Sequence, residues 1–157
     1  ADIVNRYPEK EIADILWKFG EERHSRRIAR EIVNIREKKM IETCRELSDI
    51  AWRAYPGRGR IHPATRTFQA LRIAVNDEMN ELSKGLEASA GILKSGGRLC
   101  VLAYHSLEDR IVKNFMKDKK RDGVLNILTK KPLVPSDEEM RSNPSSRSAK
   151  LRGAEKI

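Results

Sequence analysis

The chain has 157 residues, 39% hydrophobic and only 5% aromatic, which is enough for one ordinary domain or parts of two around an aliphatic core. Its 32 Lys and Arg outnumber 23 Asp and Glu, and the net charge of +9 favours a polyanionic partner, nucleic acid before an acidic membrane. The alternative explanation of this charge is a solvated surface on which the charged side chains form salt bridges.

No run approaches the roughly 18 apolar residues of a membrane span, and no signal peptide opens the chain. Cys44 and Cys100 form no paired pattern, so we expect reduced thiols in a cytoplasmic protein.

Apolar residues at steps of three and four predict helices throughout the first third of the chain. The first helix is expected between Pro8 and Gly20, with Ile12, Ile15, Leu16 and Phe19 on its buried face. A second is predicted over residues 25–39, and the capping-box pattern from Thr43 to Glu46 opens a third. These three helices predict a small helical subdomain over residues 1–60.

A loop rich in Gly, Pro and Arg at residues 55–62 is the predicted boundary of that subdomain. A longer helical region is expected to begin at Pro63, to break near Gly85 and to end at Gly96 and Gly97.

The remaining chain alternates strand and helix patterns. Residues 99–103 form a continuous apolar run, which predicts a strand buried on both faces by helices. A helix capped by Ser106 should follow directly, and further strands are predicted over 125–129 and 149–157, with a short helix capped by Ser136 between them. Helix, glycine turn, buried strand, tight turn and helix are typical of a doubly wound α/β sheet.

In such sheets ligands bind beyond the carboxyl ends of the strands. Tyr104, His105 and Ser106 lie at this edge if the strand is correctly predicted, and they are the candidate catalytic, substrate-facing residues. His105 can donate or accept a hydrogen bond near neutral pH. The structural alternatives are a helix cap for Ser106 and a satisfied strand-end histidine for His105.

Several consecutive blocks resemble one protein family. They are HPATRTFQALRIAVNDE (62–78), GGRLCVLAYHSLEDRIVKNF (96–115), LTKKPLVPSDEE (128–139) and NPSSRSAKLRGAEKI (143–157), and the opening 33 residues are similar to the start of that family's inserted helical domain. The family is the RsmH/MraW small-subunit rRNA (cytosine-N4)-methyltransferases, and the resemblance spans essentially the whole chain.

The resemblance implies an S-adenosylmethionine-dependent enzyme that methylates a cytosine amine in small-subunit (16S) rRNA. Its fold would be α/β and helix-rich, the distal half of a Rossmann-like class I methyltransferase domain (61–157) with an inserted all-helical subdomain (1–60). The family's main cofactor-binding residues lie upstream of the matching blocks, so no cofactor-binding residue is expected in this chain. We therefore expect the chain alone to be inactive and to bind the cofactor weakly.

Basic and polar residues in several loops are candidate RNA contacts, because long cationic side chains reach phosphates. His62, Thr65 and Arg66 lie at the start of the predicted long helix, and they are candidates to contact a flipped base or its sugar. Other candidates are Arg58, Arg60, Arg147 and Lys150, and a further cluster runs from Arg23 to Arg30. Ion pairing with neighbouring glutamates is the alternative for that cluster. Trp17 and Trp52 are predicted to pack in the core rather than to stack on bases.

The leading hypothesis is therefore an rRNA cytosine-N4 methyltransferase acting on small-subunit rRNA or the ribosomal subunit. The alternatives are a non-catalytic basic RNA-binding protein and, less favoured, a helical scaffold whose basicity is incidental. His and Cys show no metal-ligand spacing, so no metal site is predicted. A homodimer is compatible with the sequence.

Overall fold

A computed structural model describes residues 1–55 and 62–157 of the chain. It divides into two compact units, Ala1–Glu78 and Met79–Ile157, each with its own hydrophobic core. The first unit thus extends beyond the boundary predicted near residue 60. Whether 1–60 is an inserted domain and 61–157 part of a methyltransferase domain stays a prediction, because compactness alone does not assign either role.

All the regular secondary structure described in the first unit is helical. Its helices are α1 (Asp2–Arg6), α2 (Glu9–Gly20), α3 (Ser25–Arg36), α4 (Cys44–Arg53) and α5 (Pro63–Asn76). Ile12 and Leu16 on α2 and Ile28 and Ile32 on α3 are fully buried, as the spacing of three and four predicts. The predicted capping box is confirmed at the start of α4, where Thr43 and Glu46 bond each other's backbone N–H.

Gly20 lies where α2 packs close against α5. A Cβ atom at this position would lie 2.7 Å from the carbonyl oxygen of Arg66, so only glycine lets the two helices pack at this distance. The predicted stop at Gly20 is confirmed as the last residue of α2, but the left-handed residue that closes the helix is Glu21, with φ 47°.

The prediction that both tryptophans pack in the core is wrong. Trp17 is 60% exposed and Trp52 is 46% exposed. Each follows a fully buried residue, Leu16 or Ala51, and one residue turns the side chain by about 100° around a helix. That rotation places both indoles outside the buried stripe.

The second unit contains helices and a small sheet. Its elements are α6 (Glu78–Ile92), β1 (Arg98–Ala103), α7 (Ser106–Arg121), β2 (Leu125–Ile127), α8 (Asp137–Ser142), a 3₁₀ turn (Pro144–Ser148) and β3 (Lys150–Lys156). The strand order is β1-β3-β2, with β3 antiparallel to both neighbours. Val112, Met116 and Leu125 are buried in the core between α7 and the sheet.

The predicted strand at 99–103 exists, but its predicted burial on both faces is wrong for the described residues. Leu99 and Val101 pack on the core, whereas Cys100 is exposed and Leu102 is 48% exposed. In the described sheet β1 is an edge strand rather than a central one. The face of β1 that carries Cys100 and Leu102 is therefore left uncovered by the described residues of this unit.

The predicted helix break near Gly85 is also wrong. Gly85 lies inside α6, while α5 ends at Asn76 and Asp77 adopts a left-handed conformation with φ 49°. An Asp tolerates this conformation better than most residues, so it can end a helix without glycine. The later turn at Gly96 is confirmed, with φ 78°.

Candidate functional site

The strand end at Tyr104–Ser106 is placed as predicted. β1 ends at Ala103 and α7 begins at Ser106, so two residues make the whole connection. Tyr104 is 51% exposed, and the His105 side chain is only 12% exposed. Lys150 faces Ala103 across the β1–β3 register, which brings this candidate lysine to the same end of the sheet.

His105, not Ser106, caps α7. Its Nδ1 accepts a hydrogen bond from the backbone N–H of Glu108 at 3.3 Å. The Glu108 carboxylate in return accepts from the backbone N–H groups of Tyr104 at 2.8 Å and His105 at 3.3 Å. The cap predicted at Ser106 is therefore wrong by one residue. The signal was in the sequence, since a capping box needs Glu or Gln three positions after the cap, and only His105 has one.

The second ring nitrogen of His105 has no such partner. Nε2 is buried and makes no hydrogen bond within the described residues, although Glu108 Oε1 lies 3.4 Å away without suitable geometry. Buried polar atoms in native proteins are almost always satisfied, so an unpartnered one calls for an explanation. Because Nδ1 accepts a hydrogen bond, the neutral ring carries its proton on Nε2, which can therefore donate to a group that arrives at the strand end.

An ion-pair network ties the first turn of α7 to β3. Asp109 accepts from Arg152 Nε at 2.6 Å, and Lys150 Nζ lies 3.5 Å from its other oxygen. The Arg152 hydrogen bond, which outweighs burial, holds the pKa of Asp109 below its ordinary value. Glu108 and Asp109 are thus structural acids of the first helical turn, and sequence reasoning missed Arg152 as the partner of Asp109, 43 residues away.

Three of the candidate RNA-contacting residues of the first unit, His62, Thr65 and Arg66, lie at the start of α5. His62 Nδ1 accepts from the backbone N–H of Ala64 at 3.2 Å, and its ring stacks on Trp52 with centroids 4.9 Å apart. His62 and Thr65 are exposed, and Arg66 is half-buried. The His62–Trp52 pair presents an exposed aromatic surface beside a polar helix start.

The other candidate cations differ in accessibility. Arg147 is exposed on the 3₁₀ turn, while Lys150 is half-buried and shares Asp109 with Arg152. Arg58 and Arg60 lie outside the described residues, so their role as RNA contacts stays a prediction.

Within the described part of the chain, no group of three or more His, Cys, Asp or Glu side chains could hold a metal ion. None of the helices described is both long and apolar enough to cross a membrane.

Fold and site together define a basic, helix-rich α/β chain with polar side chains at the carboxyl end of a strand. Comparison with known proteins is more specific. All residues from 1 to 157 match the MraW methylase family, and the chain belongs to that family.

Three relatives illustrate the similarity, each named ribosomal RNA small subunit methyltransferase H. The chain is 56% identical to the protein of Deinococcus deserti, with 100% of this chain and 52% of that protein covered. For Deinococcus radiodurans the identity is 55%, covering 99% and 49%. For Persephonella marina it is 52%, covering 99% and 54%. The chain therefore spans about half the length of the curated relatives it matches.

Proposed function

We propose that this chain is the distal half of an S-adenosylmethionine-dependent enzyme that methylates the N4 amine of a cytosine in small-subunit rRNA. The observation that carries the proposal is family membership along all 157 residues, with identities above 50% to proteins named for rRNA methylation. The positive net charge of +9 suits an RNA substrate.

The finer fold in this proposal is a Rossmann-like methyltransferase domain. β1 and β2 both run antiparallel to β3, so they point in the same direction and α7 connects them as a crossover. The edge of β1 and its exposed Cys100 and Leu102 are where further strands of such a domain would pair and be covered. In this arrangement the ends of β1 and its neighbours form one ligand-binding edge.

In this proposal the methyl donor is held mainly by the half of the enzyme that lies outside this chain. The positive-φ glycines Gly96 and Gly123 lie in turns that follow α6 and α7, and neither precedes a helix as in a glycine-rich phosphate or nucleotide loop. The role proposed for this chain is to hold the RNA target at the strand end, through Tyr104, His105 and Ser106.

RNA contacts in this proposal come from both units. His62, Thr65 and Arg66 meet the nucleotide or its sugar, and cations contact phosphates; these cations are Arg58, Arg60, Arg147 and Lys150. The partner is small-subunit rRNA or the ribosomal subunit, and the enzyme works in the cytoplasm, where that substrate is found. Homodimerisation is compatible with the proposal, but the proposal does not depend on it.

A chimeric enzyme tests the function. The chain is produced alone and also fused behind the segment of the Deinococcus deserti relative that it does not match. Both are incubated with S-adenosylmethionine and unmethylated small subunits, and nucleosides are analysed by mass spectrometry. We expect N4-methylcytidine only with the fusion.

Two results would contradict the proposal. Methylation by the chain alone would refute the assignment of the cofactor site elsewhere. A folded fusion that binds rRNA but transfers no methyl group would favour the alternative, a non-catalytic RNA-binding protein. Calorimetric titration of the chain with S-adenosylmethionine supplies the matching control, and we expect no micromolar binding.

A further inference from the structure

A groove of about 400 Å³ lies between α2 and the start of α3 in the helical unit. None of its described lining residues belongs to the Tyr104–Ser106 strand end or to the start of α5, and its arginines belong to the Arg23–Arg30 cluster predicted from the sequence. Its main lining side chains are Asp14, Trp17, Arg23, His24, Arg26 and Arg27.

Trp17 presents most of its indole to this groove and to solvent, with 60% of the residue exposed. A single exposed apolar residue is ordinary on a protein surface. A tryptophan bordering a cationic groove is a more specific combination, because unpaired bases stack on aromatic faces while cations track the phosphates.

The groove carries excess positive charge. Arg23, Arg26 and Arg27 are exposed, and no carboxylate of the described residues lies within 4 Å of their guanidinium groups. Asp14 is the one acid among the described lining residues. Arg30 of this cluster does form an ion pair, but its Nε lies 3.7 Å from Glu9 on α2 and not beside one of the neighbouring glutamates that the alternative names.

The N-terminus of α3 is already occupied by an acidic side chain. The buried carboxyl group of Glu22 already accepts a hydrogen bond from the backbone N–H of His24 at 2.9 Å. His24 itself packs edge-on against Tyr55, with ring centroids 4.7 Å apart. The guanidinium groups and the indole are therefore the parts of this surface that remain available to a ligand.

We infer that this groove binds single-stranded RNA, with Trp17 stacking on an unpaired base and Arg23, Arg26 and Arg27 contacting flanking phosphates. The inference rests on the proposed function for its choice of RNA as the polyanion. It adds a second contact surface, on the helical unit, through which the enzyme engages an unpaired segment of its substrate.

Fluorescence titration of the chain tests the stacking. Trp52→Phe leaves Trp17 as the sole tryptophan, since the sequence contains two. We expect a ten-nucleotide single-stranded RNA to quench Trp17 emission, and inorganic polyphosphate to bind without quenching it. Trp17→Ala should weaken RNA binding about tenfold, as expected when one base can no longer stack, and leave polyphosphate binding unchanged.

Charge variants test the phosphate contacts. Arg26→Ala with Arg27→Ala should lower the salt dependence of RNA binding, by roughly 0.7 in the log–log slope for each phosphate that is no longer neutralised. Lys38→Ala, beyond the other end of α3, removes one cation and should leave the slope unchanged.

Unchanged RNA affinity in a Trp17→Ala variant that melts like the parent would overturn the inference, as would an equal weakening of RNA and polyphosphate binding. If that variant fails to fold, absence of Trp17 quenching in the Trp52→Phe protein is decisive against it. No methyl transfer is measured here, so a failed transfer assay and a failed groove are distinguishable results.

Discussion

His105 uses one ring nitrogen to cap a helix and leaves the other for the substrate contact that we propose at the strand end. Nδ1 is committed to the backbone of Glu108 and therefore stabilises the first turn of α7. Nε2, on the other side of the ring, is buried without a hydrogen bond among the described residues. The cap fixes the ring, so the second nitrogen points in a defined direction at little further entropic cost.

Two substitutions separate these purposes in the fusion enzyme proposed above. Asn is a strong helix cap, so His105→Asn should keep stability close to the parent while removing Nε2. We expect methylation to fall about tenfold, the effect of removing one hydrogen bond in the transition state. His105→Ala should abolish most methylation and also lower the free energy of unfolding by about 0.5 to 2 kcal/mol.

The measurements are methyl-transfer rates and urea denaturation on both variants. Native turnover in a stable His105→Asn enzyme would remove His105 from the substrate-facing residues and leave it as a cap alone.

At the scale of elements, both α4 and α7 begin with reciprocal capping boxes. In α4 the Glu46 carboxylate collects several donors: Lys39 Nζ at 2.7 Å, and the backbone N–H groups of Glu42 and Thr43 at 3.0 Å each. These hydrogen bonds lower the pKa of Glu46 to about 2. The bond from Lys39 has the largest effect, and the backbone donors come next. The pKa of Lys39 is raised in return.

This cap predicts a pH dependence with a defined sign. The folded-state pKa of Glu46 lies below its ordinary value near 4.5, so its stabilisation is complete above that value and is lost as pH falls towards about 2. The free energy of unfolding of Glu46→Gln should therefore lie below the parent's at neutral pH, and the difference should shrink across this window.

Urea denaturation at a series of pH values measures the difference. Glu37→Gln is the charge-matched control, since Glu37 is exposed and no side-chain partner is observed for it among the described residues. A constant difference between parent and Glu46→Gln down to the lowest pH would contradict the prediction.

At the scale of the whole molecule, two separate cores and a basic surface dominate. The first core is built by packing helices on helices, and the second by packing α7 on a three-stranded sheet. Close approach of α2 and α5 at Gly20 is essential to the first core, because a side chain there would collide with the backbone of Arg66.

Two glycine substitutions with opposite expected signs test this packing. Gly20→Ala places a methyl group 2.7 Å from a carbonyl oxygen and should destabilise the protein by about 1 to 3 kcal/mol. Gly85→Ala, in the exposed interior of α6 with nothing within 4 Å, should stabilise it by about 0.5 to 1 kcal/mol. Thermal denaturation measures the stability of both variants. If Gly20→Ala stabilised the protein as much as Gly85→Ala does, helix propensity and not packing would govern position 20.

Much of the local structure is predictable from sequence because it depends on neighbours within a few residues. Apolar spacing locates α2, α3 and α7, and the Thr43–Glu46 pattern correctly predicts a capping box. The apolar run before Tyr104 correctly predicts a strand followed at once by a helix. The helix cap at His105 is also readable, through Glu108 three residues later, although the preference of serine for caps favours Ser106 instead.

The sequence by itself determined the family, the order of most helices and strands, and the position of Tyr104–Ser106 at a strand end, but it did not predict α1. Only the tertiary structure decided which surfaces are covered. It exposed Trp17 and Trp52, left β1 at an edge of the described sheet, and paired Asp109 with Arg152 across 43 residues. The physical reason is that periodicity reports the chain's own geometry, whereas burial and ion pairing depend on which distant elements pack against it.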